Sequence, residues 1–384
     1  MRGDLLDFSF TAEQEMLRKA VREFAEKEIA PKVDWMDENN EVPMDIIEKM
    51  GKLGYMGIMV PREYGGLGMG HVERMIVLEE IGRVSPALAN TLQVHHLGTA
   101  PILTFGTEDQ KRKWLPPLAR GKKIASLAVT EPTGGSDVLG IQTTAKLEGD
   151  HYVINGRKCF ITNTHIGSVF GVVAKTGEGP KGLSVFIIES GTPGFRPGRK
   201  ENKVGLRGCN TGELIFENCK VPRDNLIGKE GDGLKIALAS ISNVGRPGIN
   251  AAALGIVRAC LEEAVKYSKQ RVLYGKPISE LQAIQWHLAD IYMDYEISRL
   301  LTYYAAWLRD KGERCDAENA MAKFWATEAA VRCAHKTLAI FGAYGCMKEL
   351  VPQRLLRDAC LLIPGAGTSE IMKIIIARQA LKMA

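Results

Sequence analysis

Tyr152-Val153-Ile154-Asn155-Gly156-Arg157-Lys158-Cys159-Phe160-Ile161-Thr162-Asn163 is the stretch on which the reading of the fold turns. Two short apolar and β-branched runs flank Asn155-Gly156, a dipeptide suited to a two-residue turn because both residues tolerate positive φ. The stretch predicts a β-hairpin. Outward from it the β texture continues. Residues 183–188 and 213–216 read as strands, and Leu127-Ala128-Val129-Thr130 reads as a strand running into the Gly-rich turn Glu131-Pro132-Thr133-Gly134-Gly135-Ser136-Asp137. Both flanks read helical. Thr11-Ala12-Glu13-Gln14 is a capping-box pattern ahead of Leu17, Val21, Phe24 and Ile29, with further helices expected near 44–53, 71–83 and 85–105. Beyond residue 233, Leu254, Val257, Leu261 and Val265 share one helix face, and Ile284, Leu288 and Ile291 another. The order predicts an α+β fold: an N-terminal helical domain at 1–123, a middle β domain at 124–232 and a C-terminal helical domain at 233–384. A parallel-sheet nucleotide fold would alternate strand and helix. The loop Pro61-Arg62-Glu63-Tyr64-Gly65-Gly66-Leu67-Gly68 carries no G-x-G-x-x-G spacing either.

Composition excludes several functions. The chain has 384 residues, 45% hydrophobic and 25% charged, with a net charge of +5, ordinary values for a globular protein. No apolar run approaches the roughly 20 residues of a bilayer span. Met1-Arg2-Gly3-Asp4-Leu5-Leu6-Asp7 lacks the apolar core of a signal peptide, and its acids argue against a transit peptide, so a cytoplasmic location is expected. Lys111-Arg112-Lys113 and Lys122-Lys123 are short runs on a solvated face, so nucleic-acid binding is not indicated. The eight cysteines (159, 209, 219, 260, 315, 333, 346 and 360) show no C-x-x-C and no histidine at ligand spacing. They read as reduced, mostly buried thiols, with no metal site expected.

Read alone, the turn after Thr130 is either an ordinary strand exit or a set of N–H groups and hydroxyls suited to a ring edge or a phosphate. It has company. Ordered along the chain stand the 61–68 loop, residues 128–137, residues 154–163, Lys203-Val204-Gly205-Leu206-Arg207, and Gln270-Arg271-Val272-Leu273-Tyr274-Gly275-Lys276 with Gln282. Arg357-Asp358 and Gly367-Thr368-Ser369-Glu370-Ile371 follow. From Phe10 to Leu381 this set resembles the acyl-CoA dehydrogenase family. The resemblance implies helical, β-barrel-like and four-helix-bundle domains, bound FAD, an acyl-CoA ligand, an electron-transfer flavoprotein as redox partner, and a homotetramer built from dimers.

It also implies roles, residue by residue. Leu127, Val129, Thr130 and Ser136 edge the flavin ring. Phe160 packs beside it, although a core aromatic is the commoner fate of a strand Phe, and Thr162 donates nearby. Arg271, whose fork suits phosphate oxygens, reaches the FAD pyrophosphate of a neighbouring subunit. Tyr274, Gln282, Gly342, Ala343, Thr368 and Glu370 complete the cofactor set with Ala339, which stands where the family commonly has a glutamine and so removes one amide hydrogen bond. Asn90, Gln93, Ser136, Asn243, Arg246 and Gly367 face the acyl-CoA. Arg246 reads as a helix-start cation, which the helix dipole disfavours.

One departure bears on the reaction. The family places a catalytic glutamate at one of two positions, matching Ala366 and Gly245 here, and neither residue carries a base. The backbone N–H of Ala366 remains for polarising a thioester carbonyl. Three readings follow: a relocated base, with His95 and His96 as candidates; an elimination lyase, although the sulfinate-eliminating relatives carry arginine where this chain has Asn90; or a flavin and acyl-CoA binding protein.

Overall fold

The structure, a computed structural model, describes residues 9–382; the N-terminal Met1–Asp7 stretch considered above lies outside them. Six helices come first: α1 (Ala12–Phe24), α2 (Val33–Asn39), α3 (Met44–Lys52), α4 (His71–Val84), α5 (Pro86–Phe105) and α6 (Glu108–Ala119). The capping box at α1 forms as expected, Thr11 Oγ1 accepting from Gln14 N–H at 3.2 Å and Gln14 Oε1 from Thr11 N–H at 3.1 Å.

Strands β1 (Ala125–Ala128), β2 (Thr144–Glu148), β3 (His151–Thr162), β4 (Val169–Lys175), β5 (Leu183–Glu189), β6 (Phe195–Lys200), β7 (Thr211–Pro222) and β8 (Leu226–Ile227) form one sheet in the order β6-β7-β3-β2-β4-β5-β8. β1 also lies parallel to β4, and the same edge of β4 meets β2 further on, at Lys175 and Thr144. That switch of partners divides the sheet into halves wrapped around one interior. Ala128, Ile154, Phe170, Phe186 and Phe216, from five different strands, share one apolar core, the barrel-like arrangement expected.

The expected hairpin at Asn155-Gly156 does not form. β3 runs straight through both residues, paired with β2 on one side and β7 on the other, and its register slips between Ile154 and Gly156. The dipeptide is a bulge. Asn155 Oδ1 accepts from the N–H of Asn218 on β7 at 2.7 Å, and a Cβ on Gly156 would fall 2.4 Å from Thr143 Oγ1. Bulges and hairpin turns both favour residues that tolerate positive φ, and the partner strands decide between them. A second slip, between Lys158 and Ile161, surrounds Phe160.

Helices α7 (Gly233–Ser240), α8 (Arg246–Gln270), α9 (Gln282–Asp310), α10 (Asp316–Phe341), α11 (Val351–Leu362) and α12 (Ser369–Ala380) complete the chain, with a small hairpin of β9 (Val272–Leu273) and β10 (Lys276–Pro277) after α8. α8, α9, α10 and α11 form the bundle, and α5 bridges it to β1. All eight cysteines are free thiols, six of them buried.

Candidate active site

A π-helical turn at Ile241–Gly245 joins α7 to α8 without a break. Arg246 therefore lies inside one continuous helical run and not at a helix start, where the helix dipole would disfavour its charge. A π-turn lets one extra residue into the helix and often marks a functional segment. It loosens the backbone ladder, and buried side chains meet its carbonyls: Arg74 Nη2 donates to Val244 O at 3.0 Å, and Asn319 Nδ2 donates to Ser242 O at 3.4 Å.

Across from this turn, the loop between α11 and α12 carries Ala366 at φ 55°, a left-handed conformation uncommon outside glycine. The two segments touch. A Cβ built on Gly245 would lie 3.6 Å from the Cβ of Ala366 and 3.4 Å from Leu97 Cδ1. The two positions singled out from sequence thus line one apolar corner. Arg246 closes it. Its Nε donates to Ala366 O at 3.4 Å and its Nη1 to Ser242 Oγ at 3.2 Å, and Ser242 Oγ donates to Asp316 at 2.7 Å. Among the described residues the N–H of Ala366 meets no acceptor. Gly367 adjoins it, and Thr368 caps α12, its Oγ1 accepting from Ile371 N–H at 3.4 Å. Glu370 is exposed, its carboxyl held low by its own backbone N–H and by the Thr368 hydroxyl.

A second group of the candidates forms a shelf on the sheet. Phe160 is 66% exposed at φ 56°. A left-handed aromatic in a bulge is strained by about 1–3 kcal/mol, and the strain points the ring out of the core. Beneath it, buried Lys158 donates to Glu131 Oε1 at 2.8 Å and to Val129 O at 3.1 Å, and Cys159 N–H donates to Thr130 O at 3.0 Å. Burial pulls the Lys158 ammonium down to about 8 against the attraction of Glu131. Burial alone would raise the Glu131 carboxyl, but Lys158, Thr143 and the N–H of Gln142 hold it below the usual range. This buried pair fastens the 129–137 turn to β3. It holds Val129 and Thr130 beside Phe160 and carries Ser136 on the exposed side. Leu127 is buried in β1, and Thr162 O accepts from Ser126 Oγ at 2.7 Å.

α5 contributes a polar face. Gln93 Nε2 donates to Asn90 Oδ1 at 3.3 Å and Asn90 Nδ2 to Cys209 Sγ at 3.2 Å, while Gln93 Oε1 is buried without a partner. Asn163 Nδ2 donates to Thr91 O at 3.1 Å and to Ala125 O at 3.3 Å, locking α5 to the end of β3. The two histidines are scaffold. His95 Nδ1 accepts from Ala125 N–H at 3.0 Å, and burial drops its imidazole to about 4. His96 takes Arg74 Nε at 3.1 Å and faces Tyr55 O at 2.9 Å, and its imidazole is pushed well below the usual range by burial.

The remaining sequence candidates gather elsewhere. Arg271 caps the C-terminal end of α8 with its guanidinium 5.9 Å from the Tyr344 ring. Tyr274 (90% exposed, φ 53°) and Gly275 (φ 77°) make the hairpin turn of β9 and β10. Gln282 opens α9, and Ala339, Gly342 and Ala343 lie exposed at the end of α10. The 25 residues of α8 rise about 37 Å at 1.5 Å each, so this cluster and the Ala366 corner stand at opposite ends of a long helix. A cleft of about 230 Å³, lined by Met56, Met69, His71 and Ser240 among others, touches the sequence candidates at His96 and Asn243. It is not the centre of the site.

Sequence reasoning missed Arg74, Asn319, Lys158 and Lys323. Lys323 Nζ donates to Ile363 O at 2.5 Å and Gly367 O at 2.8 Å. The available signal was polar residues on an apolar stripe: Asn319, Lys323 and Thr327 follow the buried face of α10.

The exposed aromatic face of Phe160, the Thr130 hydroxyl on the turn tied to its strand, the exposed Ser136, and an exposed arginine fork at the far cluster match the needs of a flavin ring and a pyrophosphate. Comparison with known proteins agrees. The models of the N-terminal, middle and C-terminal domains of acyl-CoA dehydrogenase match residues 11–122, 126–219 and 231–381. An acyl-CoA dehydrogenase of Bacillus subtilis (strain 168) is 48% identical over 97% of this chain and 98% of its own length. Acryloyl-CoA reductase (NADH) of Anaerotignum propionicum is 42% identical over 98% and 96%. The solved butyryl-CoA dehydrogenase of Megasphaera elsdenii superposes with a TM-score of 0.95 at 38% identity, covering 98% of this chain and 100% of that one.

Proposed function

This chain belongs to the acyl-CoA dehydrogenase family, and from that premise we propose that it carries out flavin redox chemistry on a CoA thioester without the family's glutamate. It is an FAD-dependent enzyme of that family. When bound, FAD exchanges a hydride with the β-carbon of the thioester. The protein's own residues supply the rest. Phe160 and the Val129–Thr130 turn seat the ring, with Thr162, Ser136 and Leu127 around it. Asn243 and Arg246 hold the CoA arm, and Asn90 and Gln93 line the acyl chain. The N–H of Ala366 donates to the thioester oxygen and so acidifies the α-carbon.

The observation that carries this reading is the corner where Gly245 meets Ala366. Both of the family's glutamate positions point into it, and it is walled by Leu97 and two residues with no proton acceptor. Loss of a positioned base costs roughly 10²–10⁴-fold. The histidines of α5 are tied to the scaffold through His95 Nδ1 and both ring nitrogens of His96, while His95 Nε2 is buried with no partner among the described residues. The proton acceptor is therefore relocated or non-standard. The room left by a missing carboxylate suits a branched or alicyclic acyl group.

Arg271, Tyr274, Gln282, Ala339, Gly342 and Ala343 complete a second subunit's cofactor site, and Thr368 and Glu370 bound the near one. The assembly is a homotetramer. The exposed stripe of Trp286, Met293, Leu300, Tyr304 and Trp307 along α9 supports it. Domain limits at 123/124 and 232/233, a cytoplasmic setting and an electron-transfer flavoprotein as acceptor complete the reading.

Anaerobic mixing with straight, branched and alicyclic acyl-CoAs tests it. Bleaching of the flavin by one of them, fastest for a branched or ring-bearing acyl group, is the expected result. Product formed while the flavin stays oxidised would replace redox by elimination, and no change with any thioester would remove both.

A further inference from the structure

We propose that Lys323 is a positioning residue that sets the N–H of Ala366 toward the substrate's thioester oxygen; the proposal rests on the role given to that N–H above. Lys323 is fully buried on α10 and reaches across to the α11–α12 loop, where it donates to the carbonyls of Ile363 (2.5 Å) and Gly367 (2.8 Å). Arg246 takes the carbonyl between them, that of Ala366, at 3.4 Å. Two buried cations from two helices therefore hold three carbonyls of one short loop.

The consequence follows from peptide geometry. Peptide units are rigid planes, so a pinned carbonyl also fixes the direction of its plane. The Ala366 and Gly367 carbonyls pin the planes after Ala366, and the Ile363 carbonyl pins the loop before it. The Gly365–Ala366 plane lies between these anchors, and Ala366 at φ 55° sets its angle to the next. Among the described residues its N–H meets no acceptor, as is also true of the N–H groups of Gly365 and Gly367, and it is the one to which the role above assigns the thioester oxygen. A hydrogen-bond donor held in advance of the reaction acts without reorganising during it.

The chemistry of Lys323 suits this role better than core filling. It lies within ion-pair distance of no carboxylate among the described residues, and burial pulls its ammonium down to about 8. An apolar side chain would occupy the α10 stripe without that desolvation cost. Ser369 Oγ donates to Glu328 at 2.6 Å and Thr368 caps α12, so the downstream end of the loop has hydrogen bonds of its own, with Glu328 also attracting the Lys323 ammonium from beyond contact.

The test uses the FAD-loaded full chain and the tightest-binding acyl-CoA of the panel above, labelled with ¹³C at the thioester carbonyl. Isotope-edited infrared difference spectra report the polarisation of that carbonyl. The expected result is a lowered carbonyl stretch in the wild type. In Lys323→Met most of that lowering is lost, kcat falls at least tenfold, and acyl-CoA affinity stays within threefold. Lys323→Arg, which keeps a cationic donor, retains the lowered stretch. If Lys323→Met holds FAD poorly, Lys323→Gln is compared per mole of bound flavin, its shorter chain being unable to reach both carbonyls. A wild-type stretch in Met or Gln overturns the role of Lys323. An unshifted stretch in the wild type itself overturns the underlying role of the Ala366 N–H, which separates the two failures.

Discussion

The two ends of α8 are built on opposite plans. At the near end, Arg246 is buried, each of its contacts is inside the chain, and it faces an apolar corner made by Gly245, Leu97 and Ala366. At the far end, Arg271, Tyr274 and Gln282 stand exposed, with the Tyr344 ring as the neighbour of the arginine. The near end is organised before anything binds; the far end presents donors and aromatic surface awaiting a partner. About 37 Å of helix separates them, too far for one chain to close both around one cofactor. The proposed homotetramer would let one copy's far end serve another copy's near end.

The contrast can be broken at either end. The largest effect is expected at the corner. Ala366→Glu restores a carboxylate where backbone strain is already borne by alanine, and flavin reduction by a straight-chain acyl-CoA should rise about 10²-fold, within the usual worth of a general base. Gly245→Glu delivers the same group from the facing wall and should gain less, because its chain must pass Leu97. Stopped-flow traces that show no gain in either variant would mean that acyl-pocket shape, and not the residue types at 245 and 366, limits the rate.

At the far end, Arg271→Ala should weaken FAD binding about 10- to 100-fold, the worth of a charge-assisted hydrogen bond of about 1.5–3 kcal/mol. Turnover at saturating FAD should be nearly unchanged. Equilibrium dialysis of FAD checks this. Unaltered affinity would make Arg271 a solvated helix-end residue and the far cluster mere surface.

The smallest effect concerns the shelf. The folded-state value of Lys158 is lowered, to about 8, whereas an unfolded lysine titrates near 10.4. Between those values the unfolded chain binds more protons, so the Lys158 contribution to stability rises with pH in that window. Denaturant melts at pH 8 and pH 10 should show the wild type gaining on Lys158→Met as pH rises. A constant difference would show that the pair with Glu131 keeps the ammonium charged throughout.

Local chemistry made much of the architecture legible. The capping box at Thr11, the apolar periodicity of the helices and the β-branched middle each act through neighbours in sequence, so the helix–β–helix order could be read directly. Asn155-Gly156 could not, because a turn and a bulge ask the same conformational freedom of the same residues. The pairing of β3 with β2 and β7 decided it. Arg246 looked like a helix start because a π-turn leaves no distinctive composition. Lys323 looked like any helix lysine until burial showed its neighbours.

The candidate site divides along the same line. Its residue types, and the absence of a glutamate at positions 245 and 366, belong to the sequence alone. That those two positions touch, that α5's histidines are tied to the scaffold, and that Arg246 and Lys323 hold one loop were decided by tertiary packing. Residue chemistry is local, whereas contact between segments far apart in the chain depends on how whole helices and sheets exclude water together.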